Sequence, residues 1–313
     1  MTRALRLGTR ASLLATTQSQ LVADAVSRAT GAEVELVRIT THGDVATGSL
    51  ASLGGTGVFA TALREALLAG ECDFVVHSLK DLPTAPAPGL VIGAIPTRAP
   101  ANDVLCAAVP LAELPAGARV GTGSPRRAAQ VRRARPDAEV IDIRGNIDTR
   151  LRKVAEGEYD AILLAAAGLT RIGRLAEARE TFALDTWPTS AGQGALAIEV
   201  REGDLDAALG DGLRLIADAD ATATALLERD VLAELEAGCA APVGISAHAD
   251  ADEVVVIAEV YRADGRRSVR GERRVPAAEA ADDGPRRAHA AALVRELLAA
   301  GAGDLADLAG GRA

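Results

Sequence analysis

Short apolar runs recur along the chain, each followed by a stretch with helical periodicity. Residues 5–9 read as a strand, and residues 12–29, rich in Ala, Leu and Gln, as a helix. Residues 34–40 form a second strand. Phe59, Ala62, Leu63, Ala66 and Leu67 recur at i, i+3, i+4, i+7 and i+8, one apolar face of a helix running to about residue 69. Residues 74–78 follow as a strand. This alternation predicts a parallel sheet covered by helices on both faces.

The pattern restarts after a Pro-containing stretch, 83–100, which reads as a crossover between lobes. Strands are predicted at 91–95, 103–108, 119–123, 139–143 and 161–165, with helices at 125–134 and 146–156, which makes a second α/β lobe. A further strand, 194–200, precedes a helix at 220–236 with Leu227, Val231 and Leu235 in line. Beyond it the character changes: strand 254–261, a pairing segment at 266–275 and helix 285–300 predict a small α+β domain.

With 313 residues, 49% of them hydrophobic, the chain is long enough for two or three domains with real cores. The first residues lack the apolar run of a signal peptide, and no segment has the roughly 18 apolar residues of a membrane span, so the expected place is the cytoplasm. Cys72, Cys106 and Cys239 are an odd set with no metal spacing, which predicts no disulfide framework and no metal site. A net charge of -9 and 2% aromatics disfavour a nucleic-acid binder. The acidity is uneven: residues 119–174 hold twelve Lys and Arg against seven Asp and Glu, a basic region suited to small anions.

The basic residues stand just after predicted strands. Arg10 with Ser12, Lys80 with Asp81, Ser124 with Arg126 and Arg127, Arg144 with Asn146 and Arg150, and Arg171 after Gly168 all occupy such turns. In open α/β sheets ligands bind beyond the carboxyl ends of strands, so these side chains are candidates for one crevice. Ser124 suits a helix cap and Pro125 the first helical position, and a helix N-terminus beside two guanidiniums attracts anions. Taken singly, each Arg reads more readily as a solvated surface charge than as a ligand contact, and only the five turns together argue for a site. Spacing alone therefore supports a polyanionic ligand and names no reaction.

Other motifs lead nowhere. Gly54-Gly-Thr-Gly57 lacks dinucleotide or Walker spacing, the four histidines are scattered, and Ser78 near Lys80 reads as a hydrogen-bonding serine. Cys239 is different: it stands between Gly238, where a helix should end, and Pro242, so it belongs to a loop and is a candidate reactive or modified thiol. Cys72 and Cys106 fall at predicted strands and are expected to be buried.

Leu7-Gly-Thr-Arg-Ala-Ser12, Val76-His-Ser-Leu-Lys-Asp81, Gly121-Thr-Gly-Ser-Pro-Arg-Arg127, Arg144-Gly-Asn146 with Arg150, Ala191-Gly-Gln-Gly194 and Gly238-Cys239 with Pro242-Val-Gly244 resemble, in order, the porphobilinogen deaminase family. The resemblance implies two lobes like those of type II periplasmic binding proteins and a small C-terminal α+β domain. The expected division is 1–96 with 194–214, then 97–193, then 215–313. It implies that Cys239 bears a dipyrromethane cofactor as a thioether and that Asp81 is the catalytic carboxylate. Arg10, Ser12, Lys80, Ser124, Arg126, Arg127, Arg144, Arg150 and Arg171 would bind acetate and propionate groups. Phe59, Ser78, Thr122 and Asn146 would lie near the substrate, and Gln193 in the segment returning to the first lobe.

The implied chemistry suits these residue types. Porphobilinogen carries two carboxylates and forms a cationic methylene-pyrrole when it loses ammonia. A carboxylate stabilises that charge. Four additions to a two-ring primer make six rings with twelve carboxylates in all, a load that calls for many Arg and Lys. The family implies a monomer. Gly123, where many relatives have a hydroxyl, and Ala240-Ala241 depart from the pattern without touching Cys239 or Asp81. A non-enzymatic module closing two lobes on an anionic ligand remains the rival on fold grounds, but it gives Cys239 no role.

Overall fold

The computed structural model describes residues 3–39, 57–205, 208–237 and 241–308. It divides into two compact units, Met1–Arg98 with Ala195–Thr222, and Ala99–Gly194 with Ala223–Ala313.

The first unit contains β1 (Leu5–Thr9), α1 (Leu13–Thr30), β2 (Val34–Arg38), α2 (Gly57–Leu68), β3 (Phe74–Ser78), β4 (Leu90–Ala94), β10 (Leu196–Arg201) and α6 (Ala208–Ile216). The sheet order is β2-β1-β3-β10-β4. Ser12 starts α1 by accepting a hydrogen bond from the Ala15 N–H at 3.3 Å, and Gly31, left-handed at φ 70°, ends it. The helix buries Val22, Ala23 and Val26 in a core with Leu7, Phe74 and Ile198. β1 runs parallel to β2 and β3, as the alternation predicts. The all-parallel expectation fails at β10, which is antiparallel to both β3 and β4. A strand that returns from a distant part of the chain is not bound to the crossover geometry that makes successive βαβ strands parallel.

The second unit carries β5 (Asp103–Ala107), β6 (Arg119–Gly121), α3 (Pro125–Ala134), β7 (Glu139–Ile141), α4 (Ile147–Ala155), β8 (Ala161–Ala165), α5 (Ala166–Arg171) and β9 (Glu180–Thr181). Its sheet, β7-β6-β8-β5-β9, repeats the first layout: three parallel strands, then one antiparallel to both of its neighbours. Two α/β lobes of one kind are therefore present, as the resemblance implies. β6 stops two residues before its predicted end because the Thr122 hydroxyl accepts the Ser124 N–H at 3.1 Å and turns the chain.

The same unit includes α7 (Ala219–Glu234) from Ala223 onward, β11 (Val243–Asp250), β12 (Glu253–Tyr261), β13 (Ser268–Pro276), α8 (Ala277–Ala281) and α9 (Asp283–Ala299). The three strands form an antiparallel sheet in chain order. Leu227, Val231 and Leu235, aligned in the sequence, pack with Val256, Val260, Leu293 and Leu297. This is the expected α+β part, enlarged by β11, which the apolar pattern had not shown.

Candidate functional site

In the first unit β1 and β3 are parallel neighbours, so Arg10 and Ser12 emerge at the same sheet edge as Ser78, Lys80 and Asp81. Arg10, Gln18, His77, Ser78 and Asp81 line a small cavity of about 80 Å³. Asp81 closes a short 3-10 turn, Leu79–Asp81, and its side chain is exposed, while Lys80 is half-buried. The Gln18 side chain donates to the Ser78 hydroxyl at 3.0 Å and fixes one wall. Phe59 lies within α2, but its side chain is outside the described residues.

Behind this wall sits a group that sequence reasoning missed. Glu199 of β10, 2% exposed, meets the Arg64 guanidinium at 2.8 Å and His77 Nε2 at 3.2 Å. Burial alone would raise its carboxyl, but the hydrogen bonds from His77 and Arg64 outweigh that and hold it below the usual carboxylate range. His77, part of a recognised motif, is thus tied to a residue 122 positions away.

In the second unit the antiparallel β5 begins where β8 ends, with Asp103 opposite Ala165. Asp103 therefore reaches the same edge as the turns after β6 and β8. It is fully buried and accepts from Arg126 at 2.7 Å, Arg127 at 2.6 Å, Gln193 at 2.8 Å and the Trp187 ring N–H at 3.3 Å. Burial pushes its carboxyl up, yet the two guanidiniums pull it far below the ordinary value. Arg126, only 3% exposed, also donates to Gln130 and to the Pro188 carbonyl. The structure thus spends Arg126 on Asp103. No sequence signal marked Asp103 beyond an acidic residue opening an apolar strand.

Of the remaining basic turns, those of Arg144 and Arg150 lie near Arg127. Ser124 caps α3, accepting the Arg127 N–H at 3.4 Å, and Asn146 caps α4, accepting the Thr149 N–H at 2.9 Å. Arg144 is exposed beside Asp142 at 2.8 Å. Arg150 donates to the Gly145 carbonyl at 2.7 Å, and its pKa is lowered by burial and then by the positive charges of Arg127 and Arg144. Arg171 donates to the Gly194 carbonyl at 2.6 Å, and burial brings it down to about 10. Gly194 is required there: at φ 87°, a Cβ would stand 2.3 Å from the Ala99 oxygen.

Cys239 lies outside the described residues. On either side, Ala237 bridges to Leu308 and Val243 opens β11. Cys72 and Cys106 are buried, and burial raises both thiols, Cys106 to about 11. Among the described residues there is no group of His, Cys, Asp and Glu that could hold a metal, and no helix long and apolar enough to cross a membrane.

Two α/β lobes with basic turns at their strand ends and a C-terminal α+β part define the class of protein by its architecture. Comparison with known proteins narrows it. Residues 5–208 match the family model described as porphobilinogen deaminase, dipyromethane cofactor binding domain, and residues 222–292 match porphobilinogen deaminase, C-terminal domain. The porphobilinogen deaminase of Leifsonia xyli subsp. xyli is 56% identical, the match covering 98% of this chain and 95% of that protein. The porphobilinogen deaminase of Thermobifida fusca is 51% identical, covering 88% and 87%. A periplasmic substrate-binding protein of an ABC transporter from Coxiella burnetii is similar at 15% identity and a TM-score of 0.44, over 68% of this chain and 91% of that one. The chain belongs to the porphobilinogen deaminase family.

Proposed function

We propose that this chain is a hydroxymethylbilane synthase. It condenses four porphobilinogen units head to tail, each with loss of ammonia, on a dipyrromethane primer held as a thioether by Cys239, and releases hydroxymethylbilane by hydrolysis. The observation that carries this reading is the set of guanidiniums at the strand ends of the second unit's α/β lobe, Arg144, Arg150 and Arg171 beside Arg127. Burial lowers the Arg150 pKa and the positive charges of Arg127 and Arg144 lower it further, while Arg171 is desolvated against the Gly194 carbonyl. Such a donor set fits a ligand bearing several carboxylates.

Held on Cys239, the dipyrromethane would supply the free pyrrole carbon that takes the first new ring, and each added ring would supply that carbon for the next. The protein's residues bind, orient and stabilise charge. Asp81, exposed at the cavity that also presents Arg10, stabilises the positive charge that grows as ammonia departs, and exchanges a proton with a pyrrole nitrogen. Arg10, Lys80, Arg127, Arg144, Arg150 and Arg171 bind carboxylates. Ser12, Ser124 and Asn146 cap helices through an oxygen, which leaves each hydroxyl proton or side-chain amide N–H to donate to the ligand. Thr122 and Gln193 shape the same edge. Arg126 contributes by holding Asp103, which in turn orients Arg127 and Gln193. The same reading makes the protein a cytoplasmic monomer of three domains, divided as the resemblance implies, with porphobilinogen as its partner and no nucleic acid.

Intact mass tests the attachment. The purified chain should exceed its sequence mass by a two-pyrrole adduct, absent in Cys239→Ala and retained in Cys72→Ala and Cys106→Ala. An unmodified chain that still makes hydroxymethylbilane would overturn the role of Cys239.

A further inference from the structure

At the end of α3 opposite Ser124 lies an open pocket of about 700 Å³ that none of the residues assigned above lines. Arg132 and Arg133 reach it from the last turn of α3. Asp264, Arg266, Arg267 and Ser268 come from the turn between β12 and β13 and the start of β13. Gly265 locks that turn against the helix. At φ 75° it is left-handed, and a Cβ there would stand 2.5 Å from the Ala129 oxygen and 2.7 Å from the Arg133 nitrogen. The Arg132 guanidinium adds a hydrogen bond to the Ala263 carbonyl at 2.9 Å.

Four guanidiniums thus share a pocket with one carboxylate, and that carboxylate is already engaged. Asp264 accepts from Arg262 Nε at 2.9 Å and from the Arg266 backbone N–H at 3.0 Å, which hold its carboxyl down at about 2. Arg133 has acceptors of its own, Ser268 Oγ and the Glu259 carboxylate, the latter at 3.4 Å. Arg266 and Arg267 are exposed, and their side chains make no hydrogen bond or ion pair among the described residues. The partial negative charge at the C-terminal end of α3 accounts for two arginines on the helix. It does not account for two more on the hairpin, where like charges repel and solubility favours interspersed signs.

We propose that this pocket binds a multiply charged oxyanion, a polyphosphate or polycarboxylate, on residues that play no part in the transferase reaction. Arg266 and Arg267 supply the uncommitted charge on the hairpin, with Ser268 beside them, and Arg132 and Arg133 line the pocket from the helix. A pocket of this size holds an ion larger than orthophosphate.

Titration of the purified full chain with tripolyphosphate and, separately, with citrate tests the proposal. Binding is followed by calorimetry and by amide hydrogen exchange over residues 262–268. At least one of the two ions should bind saturably and slow exchange in the hairpin. Arg266→Ser/Arg267→Ser should weaken that binding about a hundredfold, roughly tenfold for each charged donor removed, while turnover is unchanged. Both side chains are exposed and lack partners, so this variant folds. Tripolyphosphate binding alone assigns the pocket to phosphates, citrate alone to carboxylates, and both to the chemistry they share. If neither ion protects the hairpin, or if the double variant binds as tightly as the parent, the site does not exist.

Discussion

Asp103→Asn should destabilise the second unit more than any other isosteric change at the candidate site. Asp103 is fully buried, with Arg126 at 2.7 Å and Arg127 at 2.6 Å. Asn preserves the volume, removes the charge and turns an N–H group toward a donor. Two buried guanidiniums then lose their counter-ion, a loss worth about 3–5 kcal/mol. Counting the two charge-assisted bonds at about 1.5–3 kcal/mol each gives a similar range. For a domain of this size, 1 kcal/mol moves Tm by about 2–4 °C, so a fall of roughly 6–20 °C is expected by scanning calorimetry. The sign of the pH dependence follows from the depressed carboxyl. Its stabilisation is complete above the unfolded pKa near 4 and disappears only as pH drops through the much lower folded value. The gap between parent and variant should therefore be constant from pH 5 to 8. A Tm within about 2 °C of the parent, or a gap that closes toward pH 5, would refute the view of Asp103 as the buried counter-ion.

Asp81→Asn should fold and load cofactor normally yet slow single-turnover addition of the first porphobilinogen by about a hundredfold or more; a wild-type rate removes Asp81 from the mechanism. Asp73, held at about 2 despite burial by Arg3 and Arg6, stabilises the first unit above about pH 4, and that contribution should fade as pH falls toward 2. Replacing it with Asn should flatten this part of the acid-unfolding curve. Gly265→Ala should cost at least about 2 kcal/mol in denaturant unfolding, because both its φ and its packing forbid a Cβ. Gly117→Ala, with φ 76° and open space around it, should cost only about 1 kcal/mol, and equal losses would show that packing at Gly265 is loose.

The sequence by itself determined nearly every element that carries the candidate site. Local periodicity and caps are written within a few residues, so α3 begins at Pro125 after Ser124 and β3 spans 74–78 in both readings. The placing of basic residues after strands was equally legible, because a strand end and the turn beyond it are adjacent in the chain. β11 was not, since Gly244, His248 and Asp250 interrupt the apolar pattern of a strand buried only over its first half.

Tertiary structure alone decided what the charges do. Arg126 and Arg127 stand side by side in the sequence, yet what each can offer a ligand depends on Asp103, which is 23 and 24 positions away. Asp103 reaches them because β5 runs antiparallel to β8, a direction no local pattern encodes. His77 is likewise defined by Glu199 on β10, a strand that joins its sheet from a distant part of the chain. The free energy of a buried charge depends on partners that only folding brings within hydrogen-bond distance, whereas the periodicity that makes a helix or strand is local.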